Sequence, residues 1–172
     1  MPILPIRESH RQKLAHIAGL AAMGVRNLLS LKGLHAVNIS SYEDLLNAAN
    51  AQAEPQRLLF VFAGAELPDD CTAGQKEQFQ ARKGGALSPV MCVDKLAGER
   101  GSFAGLVEES RQTGASWDVV FVACMPVKSD AAPDGDETGQ AFRVMIKSIQ
   151  DGKIGNFLAF NPEGALLRLV AS

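Results

Sequence analysis

The sequence predicts an α/β fold: a mixed sheet of about five strands, three parallel plus a C-terminal antiparallel hairpin, with helices packed on it. Segments with helical spacing of apolar residues alternate along the chain with short, almost continuously apolar runs. Because helices between strands commonly act as crossovers, we expect the first three strands to run parallel. The last two apolar runs lie so close together that they predict a hairpin.

Three predicted helices share the spacing i, i+3, i+4, i+7, which places their apolar side chains on one face. The three sets are Tyr42, Leu45, Leu46 and Ala49; Phe103, Leu106, Val107 and Ser110; and Phe142, Met145, Ile146 and Ile149. Ser41 is a natural N-cap for the first helix. A fourth helix over Thr72–Arg82 begins with a capping box, but Phe79 is almost its only large apolar residue. We therefore expect this helix to be lightly docked.

The strands are predicted over Arg57–Ala63, Pro89–Val93 and Trp117–Ala123. Their almost unbroken apolarity is typical of strands that are covered on both faces, as in parallel sheets. Near the C-terminus, two further apolar runs flank the sequence Asn161-Pro162-Glu163-Gly164. Proline second and glycine fourth suit a type I turn, so this region predicts the antiparallel hairpin.

The chain divides into residues 1–36 and a single α/β domain over residues 37–172. The first 36 residues carry five basic residues against one acidic residue, together with all three histidines. One hypothesis is that they are a translated leader and that the natural chain starts at Val37. The alternative is a loosely docked amphipathic helix, since a loose helical stripe runs from Leu14 to Leu28.

Composition narrows the functional classes. The chain has a net charge of −2, and the acidic domain after residue 36 lacks the positive stripe that nucleic-acid binding requires. Its apolar runs are shorter than the ~18 residues of a membrane span. The three cysteines are widely spaced and form no Cys-x-x-Cys pair, which favours a reducing, cytoplasmic compartment.

The domain also lacks the usual catalytic motifs. No histidine occurs after residue 36. A Ser-His pair, a Cys-His pair or a histidine-bearing zinc site would therefore have to use a histidine from residues 1–36. Neither the dinucleotide-binding glycine pattern nor the phosphate-binding loop pattern occurs. We therefore expect no cofactor and no metal, and we identify no catalytic residue.

A candidate ligand site follows from the predicted parallel strands, because ligands gather outside the carboxyl ends of such strands. A carboxylate-rich rim there could bind a divalent cation or supply a general acid and base. The alternative is that these groups are solvated or face helix dipoles. The predicted rim residues are Glu66, Asp69, Asp70, Asp94, Lys95, Lys128 and Asp130.

Four segments resemble a family of small proteobacterial proteins often labelled "ribonucleotide reductase subunit alpha". They are Glu54–Ala63 (EPQRLLFVFA), Gly85–Lys95 (GALSPVMCVDK), Glu108–Gly114 (EESRQTG) and Trp117–Ala123 (WDVVFVA). The resemblance covers most of Val37–Val170. It implies a bacterial protein that associates with ribonucleotide reductase, and it carries over no site residues.

These observations favour a non-catalytic binding or regulatory module whose partner is an unknown protein or small molecule. One rival is a small enzyme, or a metabolite- or metal-binding protein, that uses the carboxylate-rich rim. The other rival is the reductase-associated protein that the resemblance implies.

Overall fold

A computed structural model of the chain describes residues 4–5, 39–81, 85–99, 101–127 and 135–169. Apart from Leu4 and Pro5, the first 36 residues lie outside the described part of the chain. The leader and the docked helix that were predicted for this segment therefore fall outside the described residues. Among the described residues, no helix combines the length and apolarity needed to cross a membrane.

Four helices and six strands alternate through the described ranges. The helices are α1 (Tyr42–Asn50), α2 (Ala73–Gln80), α3 (Phe103–Arg111) and α4 (Gly135–Gln150). The strands are β1 (Leu4–Pro5), β2 (Gln56–Glu66), β3 (Ala86–Leu96), β4 (Val119–Pro126), β5 (Leu158–Phe160) and β6 (Leu166–Leu167). All four predicted helices are present, and Ser41 caps α1 by accepting a hydrogen bond from the backbone N–H of Asp44.

The strands form one sheet in the order β1-β3-β2-β4-β5-β6, and every neighbouring pair is antiparallel. The α/β class and the C-terminal hairpin, β5 with β6, agree with the prediction. The prediction of three parallel strands was wrong. β3 and β4 do run in the same direction, but β2 lies between them and opposes both.

The reason for this arrangement is the placement of α2. A helix makes neighbouring strands parallel only when it travels back along the sheet and packs on it. None of the residues of α2 is buried, so α2 does not cover the sheet. It lies at the end of β2 and returns the chain from that same end, so β3 runs back beside β2.

The core lies on both faces of β2, whose residues Leu58–Ala63 are all buried. One face packs against α1 and α3, and the other packs against α4. Alternation along the strand sends Phe60 and Phe62 to the first face and Leu59 and Val61 to the second. Coverage on both faces is therefore confirmed, although it arises here in an antiparallel sheet.

Trp117 seals the joint between α3 and the start of β4. Its indole N–H donates to the hydroxyl of Ser110 at 2.8 Å, and that hydroxyl donates to the carbonyl of Val107 at 2.6 Å. The indole also packs edge-on against Phe62, with ring centroids 4.9 Å apart. Ser110 is fully buried, and this chain of hydrogen bonds satisfies it.

Candidate functional site

The antiparallel sheet separates the residues of the predicted rim. Glu66 is the last residue of β2, and Asp69 and Asp70 follow it. Asp94 and Lys95 lie near the end of β3, which is the opposite end of the sheet because Asp94 is the partner of Leu59. The two groups are roughly 25 Å apart along the strands.

The prediction that these residues gather on a single rim was therefore wrong, because it depended on parallel strands. Lys128 and Asp130 lie outside the described residues. The remaining predicted residues fall into two regions. We call residues 64–81 and 85–88 the tip, and we call Arg57, Asp94, Lys95 and Glu109 the charged end.

The tip begins where β2 and β3 extend past the rest of the sheet. Ala63 is the last residue of β2 that pairs with β4. The next three residues of β2, 64–66, pair with residues 86–88 of β3. The carboxylate of Asp118 holds the base of this two-stranded ribbon by accepting a hydrogen bond from the N–H of Ala65 at 2.8 Å. Beyond that point the ribbon leads to α2.

Helix α2 is well formed but weakly attached. The hydroxyl of Thr72 accepts from the N–H of Gln75 at 3.3 Å, and the Gln75 side chain accepts from the N–H of Thr72 at 2.8 Å. Phe79 is the only half-buried side chain in α2, and its ring lies against Gly85. A Cβ atom at Gly85 would stand 3.0 Å from that ring, and the φ angle of Gly85 is +138°. The predicted light docking of this helix is thus confirmed.

The tip presents four exposed carboxylates, those of Glu66, Asp69, Asp70 and Glu77, together with the exposed ammonium of Lys76. Glu66, Asp69 and Asp70 are all exposed, and the ion pairs among the described residues involve other side chains. Asp69 and Asp70 precede the first turn of α2, where the helix dipole favours negative charge. Cys71, beside them, is a half-buried free thiol.

At the charged end, by contrast, the predicted rim residues are held in ion pairs. Arg57 pairs with Asp94, and their side chains are only 14% and 13% exposed. The ammonium of Lys95 donates to both carboxylate oxygens of Glu109, at 2.9 and 2.8 Å. Asp94 and Lys95 are consecutive residues of one strand, so the two pairs lie on opposite faces of the sheet.

Burial controls the ionisation of three groups in the body of the protein. It raises the pKa of the Cys92 thiol to about 11, and the negative charge of Asp94 adds to this effect. Burial raises the pKa of Cys124 to about 12. Tyr42 also reaches a pKa of about 12, through burial first and the charge of Glu109 second. All three groups are protonated at neutral pH, so neither thiol is an activated nucleophile there.

A cleft of about 390 Å³ adjoins the charged end. It lies between the end of α1, the start of β2 and the end of β3, and its polar lining includes Gln52, Glu54, Gln56 and Glu99. The Gln52 amide donates to the carbonyl of Ala48 at 3.1 Å, and the Gln56 amide donates to the carbonyl of Glu54 at 2.9 Å. Both amides therefore serve partly to order the walls of the cleft.

Within the described ranges, no three His, Cys, Asp or Glu side chains are grouped so that they could hold a metal ion. The sequence interpretation missed the Arg57–Asp94 pair and the cleft. Both depend on the register between β2 and β3, and Arg57 and Asp94 are 37 positions apart. Comparison of the chain with protein-family models, curated proteins and solved structures finds no match.

Proposed function

We propose that this chain is a non-catalytic binding or regulatory module and that it contacts a partner protein through the tip. The observation that carries the proposal is that α2 projects from the end of the β2–β3 ribbon with none of its residues buried. The rest of the described sheet supplies the rigid support. Segments that a rigid scaffold positions at the surface are common sites of recognition.

The energetics of the tip support this role. Fixing the backbone of one residue costs about 1–2 kcal/mol of conformational entropy, which burial of apolar surface usually offsets. In α2 the only side chain with such burial is the half-buried Phe79, whose ring lies against Gly85. The capping box supplies local order instead, so the helix keeps its shape while it leaves its surface free for a partner.

Within the described tip, four exposed carboxylates stand against one exposed lysine, Lys76, and this excess of negative charge favours a basic surface on the partner. Glu66, Asp69 and Asp70 are exposed carboxylates without an ion-pair partner among the described residues. Charge complementarity of this kind raises the rate of association and selects among partners. This part of the predicted rim therefore stays in the proposal, with a protein surface in place of a metal ion.

Site-specific photo-crosslinking in cells tests the proposal. A photoreactive amino acid replaces Glu77, which is exposed on α2, and in a matched control it replaces Gln150, which is exposed on α4. We expect position 77 to crosslink one specific protein that position 150 does not. Adding Asp69→Asn and Asp70→Asn should reduce the yield several-fold, and raising the salt concentration should reduce it too.

Equal crosslinking at positions 77 and 150 would count against the tip as the contact surface. So would a yield that is insensitive to both the two substitutions and salt, since the proposed attraction is electrostatic. Circular dichroism of the doubly substituted protein checks that α2 remains folded.

The cleft beside the charged end favours a second candidate, a small polar ligand. Its volume lies within the range of ligand sites. A thermal-shift panel of nucleotides, metabolites and divalent metals tests this role. A ligand at a hundred times its dissociation constant would stabilise the fold by about 2.7 kcal/mol. A shift that Glu54→Gln and Glu99→Gln abolish would support the cleft.

Association with ribonucleotide reductase depends on the sequence resemblance alone. It predicts that the reductase is the protein captured at position 77. A different captured protein would leave the tip proposal standing and would remove the reductase from it.

A further inference from the structure

One residue bridges the main sheet and the tip. The backbone N–H of Asp118 donates to the carbonyl of Ala63 at 3.0 Å, and its carboxylate accepts from the N–H of Ala65 at 2.8 Å. Ala63 is the last residue of β2 that pairs with β4, whereas Ala65 belongs to the ribbon. The two hydrogen bonds therefore hold β2 on both sides of Gly64, where the ribbon leaves the sheet. We call the bond between the Asp118 carboxylate and Ala65 the latch.

The backbone that the latch spans has two features of a bend. Gly64 has no Cβ atom, so its backbone can adopt more conformations than that of any other residue type. In the neighbouring strand, the register shift between Phe62 and Ala63 leaves Val90 without a partner in β2. Such a bulge bends its strand and increases the local twist. Both features let the ribbon lean in more than one direction unless a further contact fixes it.

Asp118 itself has a firm base. Its neighbour Val119 is buried in β4, and its neighbour Trp117 is held by the hydrogen bond to Ser110. The side chain of Asp118 is exposed, so water competes with the N–H of Ala65 for the carboxylate. The latch therefore combines a fixed base with a bond that can open and close.

The other strand of the ribbon has an apolar support. Leu87, the partner of Ala65, is partly buried against the core cluster that packs on α4. Apolar burial is non-directional, so this contact keeps the ribbon close to the sheet without fixing its angle. A hydrogen bond has a preferred geometry. Of these two supports, the latch is the one that fixes an angle.

We propose that Asp118 is a positioning residue that holds the tip in one direction, and that α2 swings about Gly64 as an intact helix when the latch opens. The capping box of α2 and the contact of Phe79 with Gly85 lie within the tip, so they persist when the latch opens. A second part of this inference rests on the proposed function. A tip that already points in one direction loses less conformational freedom on binding, so the closed latch strengthens the contact with the partner.

Two substitutions in the full chain separate the latch from its charge. Asp118→Ala and Asp118→Asn both remove the negative charge, but only Asp118→Asn keeps a side-chain oxygen that can accept from the N–H of Ala65. Both retain the backbone bond to Ala63. Asp118→Asn is therefore the matched control, and Trp117 fluorescence checks that the neighbouring joint stays intact in both variants.

Residual dipolar couplings of the backbone amides, measured in a stretched gel, report the direction of α2. In the wild type, we expect the couplings of α2 and of Leu58–Ala63 to fit one common orientation. In Asp118→Ala, the α2 couplings should shrink by a common factor, while the couplings of Leu58–Ala63 and the helical chemical shifts of α2 remain. Asp118→Asn should resemble the wild type.

Three results would overturn the latch. The first is a set of α2 couplings that Asp118→Ala leaves unchanged. The second is loss of the helical chemical shifts in Asp118→Ala, because the tip would then melt instead of swinging. The third is an equal effect of both substitutions, because charge and not the hydrogen bond would then hold the tip.

Photo-crosslinking from position 77 tests the second part. Asp118→Ala should give several-fold less of the specific product than Asp118→Asn, although the two variants carry the same charge. Equal yields would overturn the link between the latch and binding. If the wild type gives no specific product at position 77, the proposed function and this second part both fail, whereas the couplings still decide whether the latch exists.

Discussion

The tip and the charged end lie at opposite ends of the same two strands, and their charged residues differ in burial and in ion pairing. At the charged end, Asp94 is half-buried and paired with Arg57. At the tip, Asp69 and Asp70 are exposed and have no ion pair with a described residue. Charge that is buried must be neutralised locally, whereas exposed charge stays available to a partner. The comparison suggests that one end maintains the sheet and the other makes contacts.

The largest expected difference is between a phenylalanine of the core and the one that anchors α2. Phe60→Ala removes a fully buried ring and should lower the free energy of unfolding by about 3–5 kcal/mol. Phe79→Ala removes a half-buried ring of the tip and should lower it by about 1 kcal/mol or less. Urea unfolding followed by circular dichroism measures both. Equal losses would show that the tip is part of the cooperative core.

The next comparison uses one substitution at the two ends. Asp94→Asn leaves the half-buried guanidinium of Arg57 without its countercharge and should cost about 1–3 kcal/mol. Asp69→Asn at the exposed tip should change stability by about 0.5 kcal/mol or less. Chemical denaturation of both variants at neutral pH and moderate salt gives the answer. A substantial loss for Asp69→Asn would indicate that this carboxylate has a structural partner.

Alkaline pH should weaken the body of the protein through its buried acidic groups. Cys92, Cys124 and Tyr42 have a raised pKa when folded, so the unfolded chain loses these protons first. Their contribution is complete below about pH 8.5 and is lost as the pH rises through the folded pKa values of about 11 to 12. The melting temperature should therefore fall over this range.

The variant Tyr42→Phe is the matched control for this pH dependence. It removes one titrating hydroxyl and keeps the aromatic ring, so its melting temperature should fall less steeply above pH 10. Calorimetry of both proteins from pH 7 to pH 11 measures the slopes. Identical slopes would mean that Tyr42 ionises in the folded protein as easily as in the unfolded chain.

The smallest effect distinguishes two glycines of the tip. Gly85→Ala forces a Cβ atom against the ring of Phe79 at a φ angle of +138°, and it should loosen α2. In Gly74→Ala the new Cβ atom has no neighbour within 4 Å, so the substitution should stabilise the helix by about 0.5–1 kcal/mol. Hydrogen exchange of the α2 amides should become faster in the first variant and slower in the second. A change in the same direction for both would exclude the contact with Phe79 as the anchor.

The sequence predicted the elements of this fold far better than their directions. The helical spacing of Tyr42, Leu45 and Ala49 and the apolar run through β2 reflect burial, and the structure buries both. Direction is a separate property, because a helix between two strands fixes it only when the helix packs on the sheet. The sequence did contain one indication of direction, because Phe79 is almost the only large apolar residue of α2. A helix with one such side chain cannot cover a sheet and therefore cannot be a crossover.

The candidate site was predicted only in part for the same reason. Glu66, Asp69 and Asp70 lie within five positions of one another at the end of one strand, so grouping them needed no knowledge of the sheet. Grouping them with Asp94 required the strand directions, which were wrong. The cleft depends on which residues of distant segments become neighbours, and spacing along the chain does not contain that information.

The joint formed by Trp117 has a practical consequence. It is the single tryptophan of the chain, and its indole is fixed between Ser110 and Phe62. Its intrinsic fluorescence is therefore a built-in optical reporter of whether α3 remains docked on the sheet. Because α2 lies outside this joint, melting of the tip alone should leave the emission spectrum unchanged. If the fluorescence and the far-ultraviolet circular dichroism change at different temperatures, the protein unfolds in two steps. No added label is needed to detect this.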